Sequence, residues 1–333
     1  MDRSNKTVCI VGASGFAGSH IVREALARGY RVHATMRDKD ATDKAPYLMA
    51  LEGAAERLTL FSAEMMDEQS FDAPFAGVDG IFIACLIPVY AGPSGKLARD
   101  MDDDQGYAEI IMPTVTGCLN ILRAAVTQKV KNVVICSSTS STNPIPAVAF
   151  KNELDHWSDP EEQCRAKKYT SATKTVMERA AMEFSAEHGQ RLSIILPTGM
   201  YGPVLLPEHM LRSPHQWLKT LIEEGTPKDA KIPNDSSSMI HLQDLAALFL
   251  AAYENPTASG RYFGVYDSWH LKDIYDELKR LLPDMKMPAP LDEDPVPATS
   301  FDFTRRDSLG VPIRDIPTIL RETIDFIKTN PFP

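Results

Sequence analysis

The sequence predicts an α/β fold: a doubly wound parallel sheet followed by a smaller C-terminal lobe. Three observations carry that expectation. Short apolar, β-branched runs alternate with amphipathic helical segments through the first 200 residues, and a glycine-rich turn joins the first run to the first helix. Beyond about Gly202 the alternation gives way to proline-rich loops and isolated helices. At 333 residues and 44% hydrophobic composition, the chain can bury a large core.

Taken in order, Thr7–Val11, residues 31–35, 58–61 and 80–84, Asn132–Cys136 and residues 192–196 read as strands, most of them separated by helical patterns. The first helix is expected over residues 17–28. Ile21, Val22, Ala25 and Leu26 fall on one side of it, and Gly29 stops it. Residues 213–224, 241–253 and 271–282 read as helices of the later part. The expected division is a first domain over residues 1–200, rejoined by segments near 236–253, and a lobe made mainly of residues 201–333.

A formal charge of −10 argues against a nucleic-acid partner, because binding a polyanion requires a face rich in Lys and Arg. The first residues lead directly into an apolar strand without a hydrophobic leader, and no run of about 18 apolar residues follows. The expectation is a cytoplasmic protein with no membrane partner, either monomer or homodimer. Five cysteines, none in metal-ligand spacing, read as reduced thiols without a metal or disulfide. The acidic run from Asp100 to Asp104 reads as a solvated loop.

Gly12-Ala13-Ser14-Gly15-Phe16-Ala17-Gly18 follows the first strand and opens the first helix. This spacing makes a tight turn whose amides face a pyrophosphate, the signature of a Rossmann dinucleotide site. The second strand ends at Arg37, where a site selective for NAD would carry an acid for the ribose hydroxyls. Arginine there favours the 2′-phosphate of NADP(H), with Lys44 as a second cation and Asp38 as a competing ribose ligand. Glu64 and Met65 after the third strand, Ala84 and Cys85 at the end of the fourth, and Pro197 and Thr198 after the sixth complete the expected cofactor contacts.

These residues, together with Pro113-Thr114 before Gly117, Cys136-Ser137-Ser138, Trp157-Ser158-Asp159, Gly202-Pro203 and His241-Leu242-Gln243-Asp244, resemble the dihydroflavonol reductase and cinnamoyl-CoA reductase group of extended short-chain dehydrogenases/reductases. The resemblance runs nearly end to end. It implies an NADPH-dependent reductase of ketones or thioesters with a cleft for a hydrophobic, often aromatic, substrate. It also places Arg37 and Lys44 at the 2′-phosphate.

Carbonyl reduction by a nicotinamide needs an oxyanion partner and a proton source. In the resembled group these are a serine, a tyrosine, and a lysine four residues beyond the tyrosine. Ser138 and Lys174 match, but Thr170 stands where the tyrosine belongs, and the nearest tyrosine is Tyr169. At 100° per residue Thr170 lies about 40° around the helix from Lys174, and Tyr169 about 140°. Three routes for the proton stay open: Tyr169 brought in by a local distortion, delivery by Lys174, His156 or water, or a reaction that needs no acid beside oxygen. Asn143, His156 and Met200 are candidate substrate contacts, each with a structural alternative. The functional expectation is an NADPH-dependent carbonyl reductase, with an ene-reductase or isomerase, or a weakly catalytic NADP-binding protein, as alternatives.

Overall fold

A computed structural model describes residue 3, residues 5–329 and residue 332. Seven strands form one parallel sheet. β1 (Thr7–Val11), β2 (Arg31–Met36), β3 (Leu58–Ser62), β4 (Gly80–Ile83) and β5 (Asn132–Cys136) are joined by Arg191–Pro197 and Gly260–Gly264. From one edge the order is Gly260–Gly264, Arg191–Pro197, β5, β4, β1, β2, β3. The central strands read as unbroken apolar runs because both faces are covered: all of β4 and all of β1 except Thr7 are buried.

One face packs against helices Met112–Thr127 and Tyr169–Glu187. The other packs against α1 (Phe16–Ala27) and the helix Leu242–Glu254. The helical stretch 103–127 is long and apolar enough to cross a membrane by composition. Its apolar side lies on the sheet, with Val115, Cys118, Ile121, Leu122 and Ala125 all buried.

A separate lobe has its own core around Leu218, Met239, Ile274 and Ile319. A three-stranded sheet of Met200–Tyr201, Ser236–His241 and Asp267–His270 runs through it. The strand Ser236–His241 therefore pairs within the lobe. The helix after it and the strand Gly260–Gly264 belong to the main sheet's layers. The pattern of residues 260–264 hides that edge strand: it has glycine at both ends and a buried Arg261 within. α1 begins one residue before its expected start because Gly15 is already its N-cap. The five cysteines are free thiols.

Strand order reverses between β1 and β4, with β2 and β3 on one side and β5 on the other. In such sheets the carboxyl ends of the strands at the reversal open a crevice that binds ligand.

Candidate active site

At the reversal point, Gly12 has φ +84°, and a Cβ there would lie 2.8 Å from backbone atoms of Cys85. The amides of Gly12 and Ala13 both donate to Thr35 O, at 3.1 and 2.8 Å, which ties the turn to β2. Gly15 is the N-cap of α1 and has no side chain to occupy the amides of the first turn. A Cβ on Gly18 would sit 2.1 Å from Gly12 O, so this glycine sets the close approach of helix to turn. Ala17 and Gly18 are buried behind the turn rather than lining the cleft. This cradle fits a pyrophosphate: close backbone, free helix-start amides and the positive end of the helix dipole.

The cleft above it holds about 370 Å³. Of the expected cofactor residues, Gly12, Ser14, Gly15, Phe16, Arg37, Lys44, Glu64, Met65, Ala84 and Cys85 line it. Sequence reasoning missed Thr35, Ile87, Val89, Glu208, His209 and Arg212 on the same wall. The last three come from the lobe, and no local motif marks them. His209 is buried, its Nε2 lies 3.1 Å from Ser14 O, and its ring meets Phe16 edge-on at 5.1 Å. Burial lowers its pKa to about 4, so it is neutral near pH 7. Lys44 pairs with Glu208 at 3.1 Å. Asp38, the competitor for the ribose, instead accepts from the amide of Asp40 at 3.0 Å and lies off the cleft wall.

The helix Tyr169–Glu187 runs regularly from its first residue. Lys174 is buried, and its Nζ donates to Leu86 O. One turn earlier, Thr170 Oγ1 donates to Val89 O at 2.7 Å. Both side chains thus grip the loop after β4 whose Ile87 and Val89 line the cleft. Burial lowers the Lys174 pKa. The thiols of Cys136 and Cys85 are pushed up by burial, to about 11 and about 12, and so stay neutral beside it. The carbonyl of Leu86 takes one ammonium hydrogen, and the other two have no hydrogen-bond partner among the described residues.

Tyr169 is not part of this group. Its ring is fully buried under Gly106, where an added Cβ would meet it at 2.5 Å. Its hydroxyl donates to Asp103 Oδ1 at 2.6 Å and accepts from Lys167 Nζ at 3.0 Å. Burial, then the Asp103 contact, raises its pKa, the opposite of what a catalytic phenol needs. The regular helix supplies no distortion to turn it inward, so Tyr169 drops out as a catalytic candidate. Asp103 of the acidic run is the partner of this tyrosine, not merely a solvated loop carboxylate.

Ser138 begins the turn after β5, and its Oγ accepts from the amide of Ser140 at 3.2 Å. Its own hydroxyl hydrogen has no acceptor among the described residues. Beneath it, Ser137 donates to Glu178, which pairs with Arg261 Nε at 2.9 Å, both charges fully buried. Arg261 also donates to Ser141 O, Glu153 O and His156 O, and its guanidinium stacks 3.6 Å from the Trp157 ring centroid. Ser158 Oγ closes the arrangement by donating to Ser140 O at 2.7 Å. The Trp157-Ser158 segment therefore buttresses the serine turn.

The candidate substrate contacts are less convergent. Asn143 is exposed and accepts from Lys151 Nζ at 2.5 Å. The ring of His156 closes a local turn, with Nδ1 accepting from the amide of Asn152 at 2.8 Å, the structural alternative for this histidine. Pro197 ends its strand buried, Thr198 is half-buried, and Met200 packs between two core clusters. None of these five lines the cleft, and neither do Ser138, Thr170 and Lys174; the last two reach it only through the backbone of Val89 and Leu86.

A parallel sheet with a glycine turn, a cationic strand end and a buried lysine on the neighbouring helix defines a nucleotide-dependent oxidoreductase. The chain belongs to the NAD dependent epimerase/dehydratase family, whose pattern it matches over residues 8–265. It is a reductase of the extended short-chain dehydrogenase type that uses a nicotinamide dinucleotide. It is 31% identical to a cinnamoyl-CoA reductase of Medicago truncatula over 100% of this chain and 99% of that one. To a dihydroflavonol 4-reductase of Dianthus caryophyllus it is 31% identical, over 85% of this chain and 76% of the other. Among solved structures, yeast methylglyoxal/isovaleraldehyde reductase Gre2, complexed with NADPH, shares the fold with a TM-score of 0.79 at 21% identity, covering 97% of this chain and 98% of that one.

Proposed function

We propose that the protein is an NADPH-dependent reductase of a hydrophobic, aromatic carbonyl compound, a small molecule taken from the cytoplasm. The observation that carries this reading is Lys174: a buried ammonium with two hydrogens unpartnered among the described residues, on the helix that packs against the wall of the dinucleotide cleft. The reduced nicotinamide supplies the hydride. Arg37 and Lys44 hold the 2′-phosphate, and Lys174 holds the nicotinamide ribose through the hydrogens that Leu86 leaves. Ser138 donates its hydroxyl hydrogen to the substrate oxygen and stabilises the charge that develops there. With Tyr169 on the far side of its helix and Thr170 bound to Val89, the proton comes from water at the cleft mouth. The reductases of cinnamoyl-CoA and dihydroflavonol among its relatives support the aromatic substrate class.

One observation favours a second reading. Where the resembled group has a phenol, the hydroxyl of Thr170 donates inward to a backbone carbonyl. Reduction of a conjugated C=C bond asks less of an acid beside oxygen, because solvent can protonate the resulting enolate. The test follows NADPH oxidation over aryl aldehydes and ketones paired with the matching enones, with products identified by mass and NMR. Alcohols support carbonyl reduction, and saturated ketones support the second reading. No turnover, with NADPH still bound, leaves a binding protein. A Lys174→Ala variant with unchanged turnover and cofactor affinity would remove Lys174 from the site.

A further inference from the structure

An acid stands inside the anion site. Glu208 lines the phosphate cleft, and its carboxylate pairs with Lys44 at 3.1 Å, the side chains 31% and 23% exposed. It does not swing there from a loose loop. The 3₁₀ turn Pro207–Leu211 that carries it is pinned by the next residue, His209, to Ser14 O and to the Phe16 ring on the phosphate turn itself. The charged groups lining the cleft are Arg37, Lys44 and Arg212 against Glu64 and Glu208. His209 is held neutral by burial and adds nothing to the positive side. Of the two acids, Glu208 is the one paired to a cation in the cleft wall.

We propose that Glu208 sets the preference between phosphorylated and unphosphorylated cofactor by holding Lys44 until a 2′-phosphate takes it over. The inference rests on reading Arg37 and Lys44 as the 2′-phosphate site. When the phosphate arrives, the Lys44 ammonium exchanges a carboxylate for a dianion, and Glu208 is left unpaired near that dianion. The lobe thereby imposes a penalty on the phosphorylated cofactor alone. An adenosine ribose without phosphate leaves the Lys44–Glu208 pair in place. The device moderates affinity for NADP(H) and lets the spent cofactor leave, while Arg37 keeps the preference in its favour.

The experiment measures binding of 2′,5′-ADP and 5′-AMP by calorimetry to the wild-type chain, Glu208→Gln, Lys44→Gln and the double variant. Glu208→Gln is expected to tighten 2′,5′-ADP about threefold to tenfold, from release of a partly exposed pair and of like-charge repulsion. It should leave 5′-AMP unchanged, and the gain should shrink in the Lys44→Gln background. An unchanged or weakened 2′,5′-ADP affinity overturns the proposal, as does an equal gain for 5′-AMP. A full gain without Lys44 overturns the hand-over of the ammonium. If the wild-type chain binds both fragments equally, the 2′-phosphate reading itself has failed and takes this inference with it. That outcome is visible before any variant is compared.

Discussion

Replacing Thr170 by valine removes one hydroxyl and almost no volume. In the structure that hydroxyl makes a single hydrogen bond, to Val89 O at 2.7 Å. A bond of this kind contributes about 0.5–1.5 kcal/mol net. Even if the whole of it reached the reaction barrier by loosening the loop that carries Ile87 and Val89, turnover would fall no more than about tenfold. Loss of a general acid is far larger, about 10²–10⁴-fold. The two roles are thus separated by at least an order of magnitude. The assay is steady-state NADPH oxidation with the best substrate of the panel, run beside NADPH binding by fluorescence. Thr170→Val is expected to lower kcat by less than tenfold and to keep its cofactor affinity within about threefold. A fall of 100-fold or more in kcat with NADPH binding intact would refute the anchoring role and make Thr170 the proton donor.

Other consequences follow from the same geometry. Tyr169→Phe should lower the melting temperature, since the hydroxyl loses Asp103 and Lys167, yet leave kcat unchanged; a kcat loss without a change in melting would return the tyrosine to the site. Arg261→Met leaves Glu178 buried without its cation and should cost about 3–5 kcal/mol in urea unfolding, where less than 1 would show the pair to be dispensable. His209 makes a signed pH prediction. Its folded pKa of about 4 lies below the unfolded value near 6.5, so between these pH values the unfolded chain binds more protons. Its contribution is fully present above about pH 6.5 and is lost as pH falls towards 4. Relative to a His209→Asn variant, the wild-type chain should therefore lose stability on acidification through that window, and parallel stability profiles would contradict it.

The strands of the main sheet and the phosphate turn were legible because they are local. β1, its glycine turn and α1 occupy twenty-one consecutive residues, 7–27, whose apolar runs, positive-φ glycine and helix periodicity each read correctly alone. Arg37 is legible for the same reason, as the residue that follows β2. The strand Gly260–Gly264 was not, since the partners that bury its Arg261 come from far back in the chain: Glu178, 83 positions earlier, the carbonyls of Ser141, Glu153 and His156, and the Trp157 ring. Helix periodicity put Thr170, and not Tyr169, on the side of Lys174, and the structure agrees. Periodicity could not say what waits on each side: Val89 for the threonine, Asp103 for the tyrosine.

The sequence by itself determined six of the seven strands of the sheet, the glycine turn, and the presence of serine and lysine without the expected tyrosine. Tertiary structure alone decided that Glu208, His209 and Arg212 close the cleft, that Thr170 is tied to a carbonyl, and that Asn143 and His156 stand apart from the cleft wall. The physical reason is sequence distance. Backbone geometry and amphipathic periodicity are set within a few residues, whereas a side chain's hydrogen-bond partner and its charge environment are supplied by whatever the fold packs beside it.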